Sequence, residues 1–480
     1  MRTIYLLFLS AIGALLSVSC YEDKGNYDYH EINDVKIGQM ADKTQYTNID
    51  VLTIDPDISY KLNPTGSYEY EWSARSLASS TTGETNPDIV IGKEKKLNYP
   101  VTLPVGKYAV TLRVTDSDNG LVWSNRFNLT VASATYKGWM VLCNENGRAR
   151  LDMAEESGEE PLYSRDILAE YLPDKKDPKS IEFFSVDLGG NYDILMMTGD
   201  GCSRLVPEDL SWNKQEDFPY MMADPKSGNI KAQTVGWYPV TGALLIGDNN
   251  AYWRANQGGA LFGVPVNRIG GKLIKLAPYV GFTVWQWFGT NFILFDQDNH
   301  RFVRYVARNA ASEYWDDYPK GKELVFMQNT SNNSTYAVLK DPSNGAYSFF
   351  SFNPSSLEAS GETSIDIPSI ENVKAFAFDP YNNYMFFTDG QQLSLYNWSA
   401  NDPSKKITTV DLFDGQKITM LKYKPGSAGN YEDYLLVATE DASGKGTLHL
   451  LEVAANRVVT EFKQYTGFGK IVDVAYRDRY

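Results

Sequence analysis

Short runs of alternating apolar and polar residues, broken by Gly, Pro, Asn and Asp, recur along most of the chain. An alternation with a period of two predicts a β-strand that buries one of its faces. The clearest example is YAVTLRVT, residues 108–115. Its core-facing residues are expected to be Tyr108, Val110, Leu112 and Val114. The whole pattern predicts an all-β protein.

Residues 34–133 hold four to seven such runs within about a hundred residues, which is typical of an immunoglobulin-like β-sandwich. The most regular runs are residues 68–74, 96–103, 106–116 and 122–131. We therefore predict a β-sandwich domain over residues 34–133.

From residue 136 onward the pattern becomes a repeat of strand, turn and strand. In MFFTDGQQLSLY, residues 385–396, an apolar run is followed by Asp389-Gly390 and by a second, alternating run. An Asp-Gly pair supplies the positive φ angles of a two-residue hairpin turn. Similar turns lie near residues 146, 200, 249, 298, 343, 389 and 443, spaced 45 to 54 residues apart. A strand repeat of about fifty residues predicts a β-propeller with one four-stranded blade per repeat.

A further strand precedes every hairpin of this series except the first. These strands are predicted at residues 183–186, 232–239, 282–288, 324–328, 373–380 and 418–425. The missing strand is found at the other end of the chain, because residues 471–477 follow the last hairpin and have no hairpin of their own. We expect this C-terminal strand to form the inner strand of the blade that begins at Trp139, which closes a seven-bladed ring over residues 136–480. An eighth or a degenerate blade is the alternative.

The N-terminus has the pattern of a secretory signal peptide over residues 1–19. Arg2 precedes an apolar run, residues 4–16, that is too short to cross a bilayer, and small residues follow it. Cys20 directly after them is typical of a lipoprotein cleavage site, although Ser17 stands where such sites prefer Leu. An ordinary secreted protein is the alternative. Residues 20–33 are polar without a period, so we predict a flexible, lipid-anchored tether.

Charge and cysteine content narrow the classes of partner. The net charge of −15 excludes nucleic acid and disfavours an anionic lipid surface. After residue 20 only Cys143 and Cys202 remain, so this is no disulfide scaffold, and buried free thiols are expected. No long apolar segment follows residue 20, which leaves the lipid as the predicted means of membrane attachment.

No sequence motif proposes catalysis. The three histidines, His30, His300 and His449, have no spacing that suggests a metal site or a catalytic triad. We therefore predict no catalytic residue, no metal and no cofactor besides the lipid on Cys20. The acidic segments 116–120 and 296–299 are interpreted as tight turns rather than calcium loops, because they lack the Gly and Glu positions of such loops.

Aromatic residues fall into two groups. Trp285 and Trp287 lie on a predicted inner strand and are expected to be core residues. The others lie in connecting segments among charged residues, where an exposed ring can contact a ligand or a partner, with packing on the rim as the alternative. These candidate binding residues are Trp212, Tyr314, Trp315 and Tyr318.

Four segments of the N-terminal part resemble a known family. They are CYEDKGNYDY (20–29), YEYEW (68–72), LPVGKYAVTLRVTD (103–116) and YKGWMVL (136–142). Over residues 20–142 the chain resembles the PKD-like lipoproteins of Bacteroidetes, which are encoded beside importers of the SusC/SusD type. Glu22 and Asp23 resemble the acidic surface-export signal of such lipoproteins, with Tyr21 where Ser or Lys is commoner.

The resemblance implies a surface lipoprotein of the outer membrane that assists a TonB-dependent importer in nutrient uptake. Its implied partners are a SusC-like transporter, a SusD-like lipoprotein and other surface lipoproteins, with an oligopeptide or glycan as ligand. A non-catalytic binding or bracing role is the first hypothesis. The alternative is a propeller enzyme, a polysaccharide lyase or a glycoside hydrolase, that uses acidic residues in its central cleft.

Overall fold

The computed structural model describes residues 33–78, 86–156, 160–185, 191–224, 230–238, 240–256, 260–283, 291–423 and 431–478. The signal peptide, Cys20, Glu22 and Asp23 lie outside these residues, as do Trp285 and Trp287. The chain divides into two compact units, Met1–Val131 and Ala132–Tyr480. Within the described part of the chain, no helix is long and apolar enough to span a membrane.

The described part of the first unit contains nine strands. They are β1 (Val35–Ile37), β2 (Lys43–Tyr46), β3 (Val51–Ile54), β4 (Ile58–Tyr60), β5 (Tyr68–Ser76), β6 (Asp88–Gly92), β7 (Leu97–Pro100), β8 (Gly106–Asp116) and β9 (Val122–Ala132). Five of them form one antiparallel sheet in the order β2-β9-β8-β5-β6, and the others form the pairs β1-β4 and β3-β7. This arrangement is the predicted β-sandwich.

The sandwich core follows the alternation of the sequence. On β8 the four predicted residues from Tyr108 to Val114 are buried, and the residues between them are half-buried or exposed. Trp72 of β5 is fully buried at the centre, and its indole N–H donates to the backbone oxygen of Glu94 at 2.9 Å. Leu52 of β3 and Leu97 of β7 belong to the same core, so the small pairs cover the face of the large sheet.

Eight antiparallel sheets make up the second unit within the described residues; seven of them are numbered as blades 1 to 7, and the eighth is a two-stranded hairpin. Blade 1 contains β10 (Gly138–Glu145), β11 (Arg148–Glu155), β12 (Leu162–Ser164) and the C-terminal strand β36 (Lys470–Arg477). Blade 2 contains β13 (Pro178–Ser185), β14 (Tyr192–Thr198) and β15 (Gly201–Leu205). Blade 3 contains β16 (Ala232–Tyr238), β17 (Gly242–Gly247) and β18 (Asn250–Ala255), followed by the small hairpin β19 (Arg268–Ile269) and β20 (Lys272–Leu273).

The remaining blades follow in chain order. Blade 4 contains β21 (Asn291–Asp296), β22 (Arg301–Val306) and β23 (Ala311–Tyr314), and blade 5 contains β24 (Glu323–Asn329), β25 (Thr335–Lys340), β26 (Tyr347–Phe352) and β27 (Thr363–Ile365). Blade 6 contains β28 (Ala375–Phe378), β29 (Tyr384–Thr388), β30 (Leu393–Asn397) and β31 (Ile407–Val410). Blade 7 contains β32 (Lys417–Tyr423), β33 (Leu435–Glu440), β34 (Gly446–Val453) and β35 (Val459–Phe468). Short 3-10 helices span Phe218–Met221, Ala307–Asn309, Ile370–Asn372 and Pro403–Lys405.

The C-terminal strand closes the ring, which confirms the prediction. β36 pairs with β10 in an antiparallel register that places Tyr476 opposite Trp139. On its other side the Asp473 carboxylate accepts hydrogen bonds from β13 and β32, the inner strands of blades 2 and 7. The last residues of the chain therefore join the first and last blades of a seven-bladed β-propeller.

Two local expectations differ from the structure or lie outside it. The predicted two-residue turn at Asp389-Gly390 is wrong, because Thr388 pairs with Leu393 and the loop holds four residues. Gly390 has a φ of 94°, and the Asp389 carboxylate accepts the backbone N–H of Gln391 at 2.8 Å, which stabilises the longer loop. The inner strand predicted over residues 282–288 lies mostly outside the described residues, although Gly281 bridges to β21.

The acidic segments are turns, as predicted. Asp116 accepts the backbone N–H of Asp118 at 3.0 Å, and Asp296 accepts that of Asp298 at 3.0 Å. Cys143 and Cys202 are buried free thiols, in agreement with the sequence analysis.

Candidate functional site

Two of the four candidate aromatic residues are core residues. Trp315 is 8% exposed and Tyr318 is 5% exposed, so the expectation that they face solvent is wrong. Both rings fill the space between blades 4 and 5, where Trp315 meets Phe352 edge-on at 5.7 Å between ring centroids. Asp316 between them faces solvent and pairs with Arg301 and Lys320. The charged neighbours in the sequence thus point outward while the rings point inward.

Tyr314 and Trp212 are half-buried. The Tyr314 hydroxyl donates to the Asp296 carboxylate at 2.8 Å, and the Arg301 guanidinium lies 3.7 Å from the ring centroid. Burial, and then the bond to Asp296, raise the pKa of Tyr314. Trp212 packs against the core shared by blades 1 and 2, and its indole N–H has no hydrogen-bond partner among the described residues. Neither the Tyr314 ring nor the Trp212 ring is fully exposed, and the role of these two residues in binding stays a prediction.

A cleft of about 260 Å³ lies at the face of the ring where the inner strands of blades 6, 7 and 1 begin. Lys374 directly precedes β28, Lys417 is the first residue of β32 and Lys470 is the first residue of β36. We call this site the lysine cleft. It forms because each blade enters its inner strand at the same face, which brings three equivalent lysines to one opening.

The ends of the middle strands of blades 6 and 7 complete the lysine cleft. The turn after β29 contributes Gly390 and Gln391, and Glu440, the last residue of β33, pairs with Lys417 in the strand register. A Cβ atom on Gly390 would lie 2.8 Å from the Lys374 ammonium, so the glycine lets that side chain lie over the turn. Of the residues that the structure describes, no aromatic side chain lines the cleft.

The lysines of the cleft differ electrostatically from Lys322 and Lys422 of the same ring. Lys322 and Lys422 each form an ion pair, with Glu362 and with Asp473. Across the described ranges, no carboxylate lies within 4.0 Å of the ammonium groups of Lys374, Lys417 or Lys470. On a chain of net charge −15, such a cluster concentrates positive potential where an anion can reach it.

The Asp389 carboxylate, in the turn of blade 6 that lines the lysine cleft, is stabilised by backbone groups of its own turn. The backbone N–H groups of Gln392 and Gln391 hold the pKa of Asp389 below its ordinary value, and Lys374 contributes a smaller part. Asp389 therefore remains ionised without a direct ion pair to a lysine of the cleft.

A second cluster lies on three successive inner strands and joins Glu182 of β13, Asp473 of β36 and Lys422 of β32. Asp473 accepts the Lys422 ammonium at 2.5 Å with one oxygen and the backbone N–H of Ile181 at 2.9 Å with the other. Burial, followed by the nearby Asp473 carboxylate, raises the pKa of Glu182 to about 7, against a smaller opposing effect of Lys422. Glu182 can therefore hold or release a proton near neutral pH, whereas both oxygens of Asp473 are engaged.

The structure also brings together a carboxylate, a histidine and a hydroxyl on adjacent strands of blade 7. His449 lies 2.5 Å from the Glu461 carboxylate through Nδ1 and 2.9 Å from the Thr439 hydroxyl through Nε2. Thr439 is fully buried and donates to the Gln416 side-chain oxygen at 2.6 Å, so no substrate reaches this hydroxyl. Burial lowers the pKa of His449. We interpret this set as structural, in spite of its likeness to a catalytic triad.

Sequence spacing could not reveal these sets, because cross-strand neighbours are set by register and by blade contacts. A sequence clue for the lysine cleft did exist. A lysine directly precedes the inner strand in other repeats too, for example Lys231 before β16 in blade 3 and Lys322 before β24 in blade 5. Over the described ranges, no group of three His, Cys, Asp or Glu side chains is arranged to hold a metal ion.

Comparison with known proteins agrees with the architecture. A sequence profile of the PKD-like family matches residues 20–172. The N-terminal unit carries a PKD-like domain. No curated protein matches the chain.

Solved structures to which the chain is similar include a quinonprotein alcohol dehydrogenase-like protein from Bacteroides thetaiotaomicron, with a TM-score of 0.38 and 11% identity over 90% of this chain and 94% of that one. An oligogalacturonate lyase from Vibrio parahaemolyticus has a TM-score of 0.42 and 9% identity over 74% of this chain and 100% of that one. The Dos1 propeller has a TM-score of 0.40 and 8% identity over 76% of this chain and 83% of that one. At such scores and identities the likeness carries no information on activity.

Proposed function

We propose that this protein is a non-catalytic surface lipoprotein of the outer membrane that captures a ligand for a TonB-dependent importer of the SusC/SusD type. The observation that carries the binding role is the lysine cleft, in which three lysines from three blades surround one opening. A rigid ring that presents charged side chains at one face is suited to recognition, because the blades hold the loops in place.

The N-terminal sequence supports the location. The apolar run before Cys20 and the acidic pair Glu22-Asp23 are the pattern on which lipidation and surface export are proposed. In this arrangement the lipid on Cys20 is the membrane anchor, and the proposed partners are a SusC-like transporter and a SusD-like lipoprotein.

Two features of the ring support a non-catalytic role. The Thr439 hydroxyl beside His449 is buried away from any substrate. Asp473 already accepts a lysine and a backbone N–H, so it is poorly placed to act as a second acid or base beside Glu182.

An enzyme is the second candidate function, and Glu182 is the observation that favours it. A carboxyl group with a pKa of about 7 has the acidity that a general acid or base needs at neutral pH. A lyase or a glycoside hydrolase would use Glu182 on a glycan that enters the ring.

Affinity purification of the tagged protein from bacterial membranes in mild detergent tests the proposal. We expect a SusC-like and a SusD-like protein to co-purify, and we expect Cys20→Ala to release the protein from the membrane. The purified protein should leave mixed oligopeptides and glycans uncleaved. Cleavage that is lost in Glu182→Gln would overturn the non-catalytic function and support the enzyme. Firm membrane attachment of Cys20→Ala would overturn the lipid anchor.

A further inference from the structure

We propose that the lysine cleft binds acidic side chains of an oligopeptide. This inference rests on the proposed binding function and names the ligand class of the same site. It begins from the charge of the cleft, whose three lysines have no carboxylate within 4.0 Å among the described residues. A cluster of positive side chains at one opening attracts anions, and carboxylates are the anions that a peptide carries.

The size of the lysine cleft indicates how much of a ligand it holds. Its volume of about 260 Å³ is below the range of roughly 300–1,000 Å³ that is usual for sites enclosing a whole small molecule. The cleft therefore suits one or two side chains of a longer chain that continues over the face of the ring.

The lining favours a peptide over an acidic glycan. Glu440 places a negative charge beside the three lysines, which repels a purely anionic oligosaccharide but can accept a peptide ammonium or amide N–H. The Gln391 side chain offers both a donor and an acceptor, which matches the alternating N–H and C=O groups of a peptide backbone. In the described lining there is no aromatic ring on which a sugar could stack.

The fold supplies matched controls. Lys231 directly precedes β16 of blade 3, as Lys374 directly precedes β28 of blade 6. The backbone oxygens of Lys231 and Lys275 accept the N–H groups of Asp248 at 3.2 Å and of Gln297 at 2.8 Å. Both are exposed, and neither lines the cleft. Lys231→Gln/Lys275→Gln removes the same net charge as Lys417→Gln/Lys470→Gln, from exposed positions of the same unit outside the cleft.

The test is calorimetric titration of the full mature chain with a synthetic hexapeptide of alternating glutamate and glycine. The peptide with glutamine in place of glutamate and an oligouronide of equal charge are the comparison ligands. We expect the glutamate peptide to bind and to weaken with added salt. Lys417→Gln/Lys470→Gln should weaken binding by about tenfold, since two exposed ion pairs are lost, while Lys231→Gln/Lys275→Gln should change it less than about twofold. Glu440→Gln removes both the acceptor for a peptide ammonium and the repulsion of the peptide carboxylates, so it should weaken binding of the free-amine peptide relative to the N-acetylated peptide.

Three results would overturn the inference, and a fourth would overturn the proposed function on which it rests. Equal loss in both double variants would assign binding to general charge rather than to the cleft. Tighter binding of the oligouronide through the same lysines would replace the peptide with a glycan and leave the proposed function intact. If no probe binds but the importer still co-purifies, the cleft is not a ligand site, and the proposed accessory role at the importer still stands. Cleavage of the peptide would overturn the proposed function itself.

Discussion

Replacing Val474 with Ala tests whether the C-terminal strand is part of the propeller core. Val474 is 1% exposed on β36, where it pairs with Val141 of β10. It belongs to a buried cluster that also contains Leu436 and Leu448 of blade 7. The side chain thus packs where the two ends of the ring meet, and a gap there affects both blades.

The size of the effect follows from the groups removed. Two buried methyl groups are lost, each worth about 0.8 kcal/mol of transfer free energy. The cavity left behind, which the neighbouring strands fill only in part, lowers the free energy of unfolding by a further amount of at most about 1 kcal/mol. We therefore expect a loss of about 2–3 kcal/mol in the free energy of unfolding. At about 2 °C per kcal/mol, the melting temperature should fall by about 4–6 °C.

The assay is differential scanning calorimetry of the full mature chain, with Val472→Ala as the matched control. Val472 lies on the same strand but is only half-buried, at a bulge that the pairing with β10 skips. Its substitution should cost less than about 1 kcal/mol because its methyl groups are already partly hydrated. Equal shifts for the two variants, or a fall below about 1 °C for Val474→Ala, would refute the assignment of β36 to the core.

Three further outcomes are expected. Deleting residues 470–480 removes the inner strand of blade 1 and exposes sheet edges, so the shortened protein should aggregate during size-exclusion chromatography; an unchanged monomer peak would contradict ring closure. Trp315→Ala should lower the free energy of unfolding by about 3–5 kcal/mol in guanidinium titrations, because the ring is core rather than a binding surface, and a change below about 1 kcal/mol would contradict this. The raised pKa of Glu182, about 7 against an ordinary 4.5, means that the folded state keeps a proton that the unfolded chain releases, so this group lowers stability as the pH rises from about 4.5 to 7. At pH 8 the Glu182→Gln variant should therefore unfold at a higher denaturant concentration than the parent protein, and at pH 4 the two should unfold at similar concentrations. A parent protein more stable than the variant at pH 8 would contradict this prediction.

An acidic protein with a basic cleft also has a kinetic consequence. The negative surface slows the approach of acidic ligands in general, whereas the lysine cleft attracts them over about a Debye length. Because salt screens both effects, capture of an acidic peptide should slow with added salt where the cleft dominates, whereas the net charge alone predicts faster capture.

Local patterns determined most of the architecture. Alternation in residues 108–115 specifies which side chains a strand buries, and a hairpin recurs in each of the seven repeats, so the β-sandwich and the seven-bladed ring follow from sequence alone. The unpaired C-terminal run likewise predicted ring closure, because each repeat but the first had its own inner strand. The alternation within a strand depends on neighbouring residues alone, and the number of blades follows from the number of such strand repeats.

The sites depended on contacts between distant parts of the chain. Lys374 and Lys470 reach one cleft only because the ring closes, and Asp473 meets Ile181 because the C-terminal strand lies beside blade 2. Trp315 lies between charged residues in the sequence, but the adjoining blade buries its ring, and no local pattern contains that blade. Burial and electrostatic environment are sums over neighbours in space, so the tertiary structure alone decided which lysines share an opening and which aromatic rings are covered.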